Sequence, residues 1–203
     1  MAEHSAIDGQ EGGEEPLPPG CVWVTARTTY LEMPRPEAGT IPASPAIPEG
    51  FTIARWEAPP IDDYRAMFRA VGGPWGWTGR LLLEDDELRS LLNDPAIEIW
   101  RLGRGTELAG FIELDYRQPG EVEIVYFGLR PEFIGRGLGG FVLRWASHHV
   151  WSRPGVERFW LHTCDYDHPD ALRVYQRAGF RVTDEHTGLE AYPAEHVARL
   201  RRG

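Results

Sequence analysis

The run Arg130-Pro-Glu-Phe-Ile-Gly-Arg-Gly-Leu-Gly-Gly140 carries four glycines in its last six positions. Glycine lets a backbone adopt positive φ and approach a ligand closely. If a helix follows, its first amides lack internal partners and carry partial positive charge. Such a turn and helix end together suit a pyrophosphate. A tight turn that only packs a helix on a strand would use the same residues. The spacing fits neither a dinucleotide fingerprint nor a triphosphate loop, which needs Lys followed by Ser or Thr. Just upstream stand four carboxylates, Glu113, Asp115, Glu121 and Glu123. Such a group attracts cations. Trp75 and Trp77 lie in Gly72-Gly-Pro-Trp-Gly-Trp77. Their faces can hold a cationic or aromatic ligand, or the indoles can plug the sheet. His148 and His149 point apart and read as surface and rim residues, and His162 as a hydrogen-bonded core residue of a strand. Cys21 and Cys164 are too few for a disulfide scaffold, and Cys164 reads as a buried thiol. No zinc spacing occurs, so no metal is expected.

The elements that must position these groups are legible from periodicity. Val22–Leu31 is β-branched and aromatic and predicts an extra N-terminal strand. Pro34, Pro36, Pro42, Pro45 and Pro48 predict an extended linker. Phe51–Trp56 reads as a strand. Ile61–Val71 reads as a helix, with Ile61, Tyr64, Met67, Phe68 and Val71 at helical spacing. Glu84–Leu92 reads as a short helix. Ala96–Leu102, Leu108–Tyr116 and Glu121–Leu129 form an antiparallel meander joined by Gly turns. Alternation along the last strand predicts Glu123, Val125, Phe127 and Leu129 on one face. The glycine turn then opens a helix over 137–151. A strand over Phe159–Cys164, a helix over Pro169–Ala178 and a final strand over Phe180–Asp184 follow. Strands and helices alternating after a meander imply an α/β or α+β sheet flanked by helices.

Two motifs carry a family resemblance. Gly135-Arg-Gly-Leu-Gly139, after Leu129-Arg-Pro-Glu132, resembles motif A of the GNAT superfamily of acetyl-CoA-dependent N-acyltransferases. Ala171-Leu-Arg-Val-Tyr-Gln-Arg-Ala-Gly-Phe180 resembles its motif B, in the right order and at a fitting separation. Ile134 stands where motif A usually has Gln or Arg, and His168 where motif B often has Asn. The resemblance implies a mixed, mostly antiparallel central sheet and direct acetyl transfer from acetyl-CoA to an amine. It assigns Gly135, Arg136, Gly137, Leu138, Gly139 and Gly140 to the cofactor pyrophosphate. It assigns Phe127, Gly128 and Leu129 to the strand beside the pantetheine arm, Tyr175 to the cofactor's reactive end, and His168 either to a hydrogen bond with the cofactor, as Asn would make, or to the start of the helix. Tyr175 takes the place of the family's thiolate-protonating Tyr, although Ala171, Tyr175 and Ala178 also form an ordinary core stripe. Glu123 takes the place of the catalytic base, with Glu113 and Asp115 as rivals. Trp75 and Trp77 are expected at the acceptor, because the segment after the first helix borders that site in the superfamily, and Glu113 is expected there as part of the carboxylate group that attracts cations.

The resemblance implies an acyltransferase acting on a primary amine, of a small molecule or an amino-acid-like acceptor. The alternatives are a protein or peptide acetyltransferase, or an acyl-CoA-binding regulatory module without turnover. Length, at 203 residues, allows one domain of ordinary size. The expected layout is a disordered acidic tail over 1–20 and a strand with its Pro-rich linker over 21–50. The acetyltransferase domain then spans 51–187, and a C-terminal tail 188–203. A formal net charge of -10 argues against a general nucleic-acid binder. All 21 basic residues are Arg, so the chain offers no lysine of its own to acylate. No apolar run reaches membrane-spanning length and no signal peptide is evident, so a cytoplasmic location is expected. The N-terminal strand can pair within the chain or across a homodimer.

Overall fold

The computed structural model describes residues 17–37 and 40–200. The acidic tail expected over 1–20 lies, except for its last four residues, outside them, as do the last three residues of the chain. Seven strands form one sheet: β1 (Cys21–Met33), β2 (Phe51–Arg55), β3 (Ile97–Arg104), β4 (Glu107–Asp115), β5 (Glu121–Leu129), β6 (Arg158–Cys164) and β7 (Arg181–Pro193). Their order across the sheet is β2-β3-β4-β5-β6-β1-β7. Every neighbouring pair is antiparallel except β5 and β6, which run parallel. A parallel pair needs a crossover, and here the helix α4 (Leu138–Trp151) supplies it.

The helices α1 (Ile61–Gly72), α2 (Gly79–Leu82), α3 (Asp85–Leu92), α4, α5 (Ala171–Ala178) and α6 (Ala194–Leu200) complete the fold. The α1 stripe of Tyr64, Met67, Phe68 and Val71 is buried with Leu88 of α3 against Ile97, Ile99 and Phe111. On the opposite face α4 and α5 cover Ile112, Leu114, Val122, Ile124, Phe159 and Leu161. Adjacent residues of β4 thus enter different cores, as the period of two requires. Each fully buried side chain of this kind contributes roughly 1.5–3 kcal/mol.

Three sequence expectations need correction. The N-terminal strand is interior to the sheet: β1 pairs with β6 through Thr28–Met33 and with β7 through Cys21–Glu32. Both its partners are in the same chain. The last strand does not stop at Asp184 but runs to Pro193, and α6 follows within the C-terminal segment. Its residues from Arg181 to Thr187 are all exposed, so no apolar alternation marks it, and its extended form rests on backbone pairing with β1. Finally, Glu113 faces Tyr126 and Leu114 faces Ile124, so Val125 is an extra residue, a β-bulge. Alternation therefore breaks inside β5. Glu123 and Tyr126 share the α1 face, whereas Phe127 and Leu129 pack toward α4 and α5.

Candidate active site

The β5–β6 pairing runs from Glu121–Arg158 to Ile124–Leu161 and stops. Beyond the bulge the strands part, and the backbone of β5 facing β6 has no strand partner. Gly128 sits at this opening. A Cβ there would lie 2.5 Å from Val71 Cγ1 and 3.3 Å from Trp77, so only glycine fits.

The glycine turn follows β5. Gly135 and Gly137 have φ of 79° and 75°, a conformation costly for most side chains. A Cβ at either position would meet nothing within 4 Å. The glycines are therefore needed for backbone shape, and the space above them is open. Gly137 caps α4 without any side-chain bond, and the Phe141 amide is bonded to the Gly137 carbonyl. Among the described residues no carbonyl accepts from the amides of Leu138, Gly139 and Gly140, which suits them to an anion. The exposed Arg136 guanidinium lies 5.5 Å from the Phe133 ring centroid. Gly139 packs near Phe127 and Val174, so turn, β5 and α5 meet.

On the α1 face the four carboxylates have separate fates. Glu113 is fully buried. Its Oε1 accepts from Arg80 Nε (3.2 Å) and Nη2 (2.6 Å), and its Oε2 from the Tyr64 hydroxyl (2.6 Å). Asp115 is bound to Arg117 and Glu121 to Arg158. Glu123 has no arginine partner among the described residues. Its Oε1 lies 3.1 Å from His162 Nδ1, and its side chain is 16% exposed. Burial alone would lower the His162 pKa, but the hydrogen bond and charge of Glu123, with the charges of Asp167 and Glu190, raise it.

Tyr175 projects from α5 with its ring edge-on to Phe127 and Phe180. Burial, then the charge of Asp167, pushes its phenol well above the usual range, so the hydroxyl keeps its proton. The two tryptophans tie the loop after α1 to the loop after β6. Trp77 Nε1 donates to Asp167 Oδ1 (3.0 Å), while its ring packs on Phe68, Phe111 and Tyr126. Trp75 stands edge-on to His168, with centroids 4.7 Å apart. Cys164 shares a 2.7 Å hydrogen bond with the Tyr192 hydroxyl, and burial pushes its thiol up to about 12. A thiol held protonated is a poor nucleophile.

The structure thus gathers Phe127, Gly139 and Tyr175 on one side of the opening, and Glu123, His162, Tyr126 and Trp77 on the other. Sequence reasoning did not single out Arg80 or Asp167, and it missed the pairing of His162 with Glu123. For His162 a signal existed: it is a polar residue in β6 between the apolar Leu161 and Cys164, beside the motif. Arg80 gave none. A recess of about 400 Å³ lined by Pro59, Asp62, Asp85 and Arg89 shares no residue with this site. Among the described residues no cluster suited to a metal ion occurs, and no helix is long and apolar enough to cross a membrane.

Comparison with known proteins follows the same lines. Residues 61–180 match the profile of the Acetyltransferase (GNAT) family. Over 115 residues the chain is 28% identical to a mycothiol acetyltransferase of Corynebacterium glutamicum, covering 57% of this chain and 38% of that one. The chain therefore spans well under half the length of the curated relatives it matches. A GCN5-related N-acetyltransferase from Sphaerobacter thermophilus has the same fold, with a TM-score of 0.58 at 24% identity over 85% of this chain and 52% of that one. A Bacillus subtilis acetyltransferase in complex with CoA gives 0.50 at 20% identity, over 66% and 78% of the two chains. The profile spans more than half of the chain and includes the glycine turn, Glu123 and Tyr175. The chain belongs to the Acetyltransferase (GNAT) family.

Proposed function

We propose that the chain binds acetyl-CoA at the opening between β5 and β6 and transfers its acetyl group directly to a primary amine. The observation that carries this reading is the uncapped start of α4 beside the parted strands, with an unpaired-to-arginine carboxylate at the junction. The amides of Gly135–Gly140 hold the pyrophosphate and Arg136 offsets its charge. The β5 backbone at Phe127–Leu129 pairs with the pantetheine arm. Acetyl-CoA supplies the acetyl group as a thioester.

Glu123 takes the proton of the bound ammonium, because only a neutral amine attacks. A β5 amide near the bulge donates to the carbonyl oxygen as charge develops there. Tyr175 gives its proton to the departing sulfur, and His168 borders that end. We assign Glu113 to support and not to acceptor contact, since Arg80 and Tyr64 occupy both its oxygens. Trp75 or Trp77 lines the acceptor side. Their ties to Asp167 and His168 hold the loop after α1 against the loop after β6, and we take the acceptor to be a small amine and not an extended peptide. A cytoplasmic setting, where acetyl-CoA is made, belongs to this reading.

The test combines calorimetry with acetyl-CoA and a thiol-release assay over small amines, amino acids and basic peptides. Binding with turnover on a small amine is expected. Turnover on peptides alone would overturn the small-acceptor reading, and binding without any turnover would make the chain an acyl-CoA-binding module.

A further inference from the structure

One side-chain pair spans the two strands at the place where they part. Ile124 and Leu161 are the last β5–β6 partners. Glu123 stands one residue before that point on β5, and His162 one residue after it on β6. Both lie opposite the core face that Ile124 and Leu161 enter. A carboxylate can only accept, so Nδ1 carries the hydrogen of the 3.1 Å contact whether the ring is neutral or charged. Nε2 has no partner among the described residues. The ring is fixed from two sides, by Tyr30 of β1 with centroids 5.9 Å apart and by Trp160 at 6.4 Å.

We propose that His162 is the positioning residue of Glu123: its Nδ1–H pins Oε1, so that Oε2 is presented to the amine of the acceptor. This rests on Glu123 being the base. The groups facing the imidazole are Tyr30 from β1, Glu123 from β5, Trp160 on β6, Asp167 from the loop after β6 and Glu190 from β7. Protonated, the ring stabilises the Glu123 carboxylate and weakens it as a base; neutral, it only orients it. Turnover therefore rises with pH as the ring loses its charge, above the ordinary histidine range.

The test compares His162→Leu, which removes the donor, with His162→Asn, which places an amide N–H near the Nδ1 position. Leu should lower kcat about tenfold or more, the scale of a misplaced catalytic group, with acetyl-CoA affinity unchanged. Asn should restore most of kcat. In both variants the acid limb of the kcat–pH profile should move to lower pH. In a Glu123→Gln background, His162→Leu should have little further effect, because it acts through Glu123. Equal losses in Leu and Asn, or losses that multiply with Glu123→Gln, would overturn the proposal. If the wild-type chain acetylates no amine, the reading of the reaction fails separately. The pair is then read by NMR titration of the imidazole nitrogens: Glu123→Gln should lower the His162 pKa, and an unchanged titration overturns the pairing.

Discussion

Glu123 keeps a carboxylate available because no arginine among the described residues reaches it, whereas Glu113, Asp115 and Glu121 are each bound by one. Glu123→Gln should therefore leave acetyl-CoA affinity nearly intact and lower turnover by roughly 10²-fold, the range for loss of a general base. The defect should shrink at high pH, where the amine loses its proton unaided. A loss of only about twofold, well below that range, would move the role elsewhere. At the turn, Gly137 tolerates a test of charge alone. Its surroundings are open, and Asn and Asp adopt positive φ more readily than other side chains. Gly137→Asp should weaken acetyl-CoA binding by about 2 kcal/mol or more, the scale of a charge-assisted hydrogen bond. Gly137→Asn, neutral and of equal size, should cost much less. Equal calorimetric affinities for the two would remove the pyrophosphate from this turn. Tyr175→Phe keeps the ring against Phe127 and Phe180, and its hydroxyl has no partner among the described residues. Turnover should fall while the melting temperature holds. A large fall in melting temperature with normal turnover would give the hydroxyl to the core.

At the scale of elements, β1 is the least expected part of the sheet. It fills the place between β6 and β7, and Leu31 is fully buried there. Its Tyr30 ring also lies beside His162. Deleting residues 1–33 would leave β6 and β7 without a common partner and remove about 2 kcal/mol of burial at Leu31 alone. The truncated chain should be insoluble or lack a cooperative thermal transition. A soluble product melting within about 3 °C of the full chain, a shift worth roughly 1 kcal/mol, would show that β1 is dispensable. The strand itself was readable from its β-branched and aromatic residues, but its place was not. Register and neighbours depend on pairings across more than 120 residues, which local pattern does not encode. The helices α1, α3 and α4 were readable because their apolar residues recur three and four apart, and the β3–β5 meander because its apolar runs are separated by Gly turns. The β7 strand was read only as far as Asp184, because its exposed residues carry no alternation beyond it. The bulge at Val125 was hidden for a related reason. An inserted residue changes which side chains share a face while leaving the composition of the strand unchanged.

Across the whole molecule, α4 is fastened at the end opposite the glycine turn. Glu98 of β3 is completely buried and binds His149 (2.7 Å), Arg55 (3.2 Å), the Trp100 indole (3.0 Å) and Arg153. His148 adds a 2.7 Å contact to the Pro42 carbonyl of the linker. The helix that presents free amides at its start is thus held to the sheet and to the linker at its finish. Burial alone would raise the Glu98 pKa, but hydrogen bonds from His149 and Trp100, with the charges of His149 and Arg153, hold it down at about 2. A carboxylate whose folded pKa lies below its unfolded value of 4.5 contributes stability at pH above 4.5. That contribution is lost as pH falls through 4.5 toward 2. The shift corresponds to about 3 kcal/mol. Glu98→Gln should lower stability near neutral pH by an amount of this order, measured by denaturant or thermal unfolding. The gap to the wild-type chain should close as pH falls through the same window, because there the wild-type carboxylate takes up its own proton. A pH-independent gap would assign the loss to packing and not to charge. Unchanged stability at neutral pH would mean that the two arginines and the histidine find other partners, and that α4 is fixed by its apolar stripe alone.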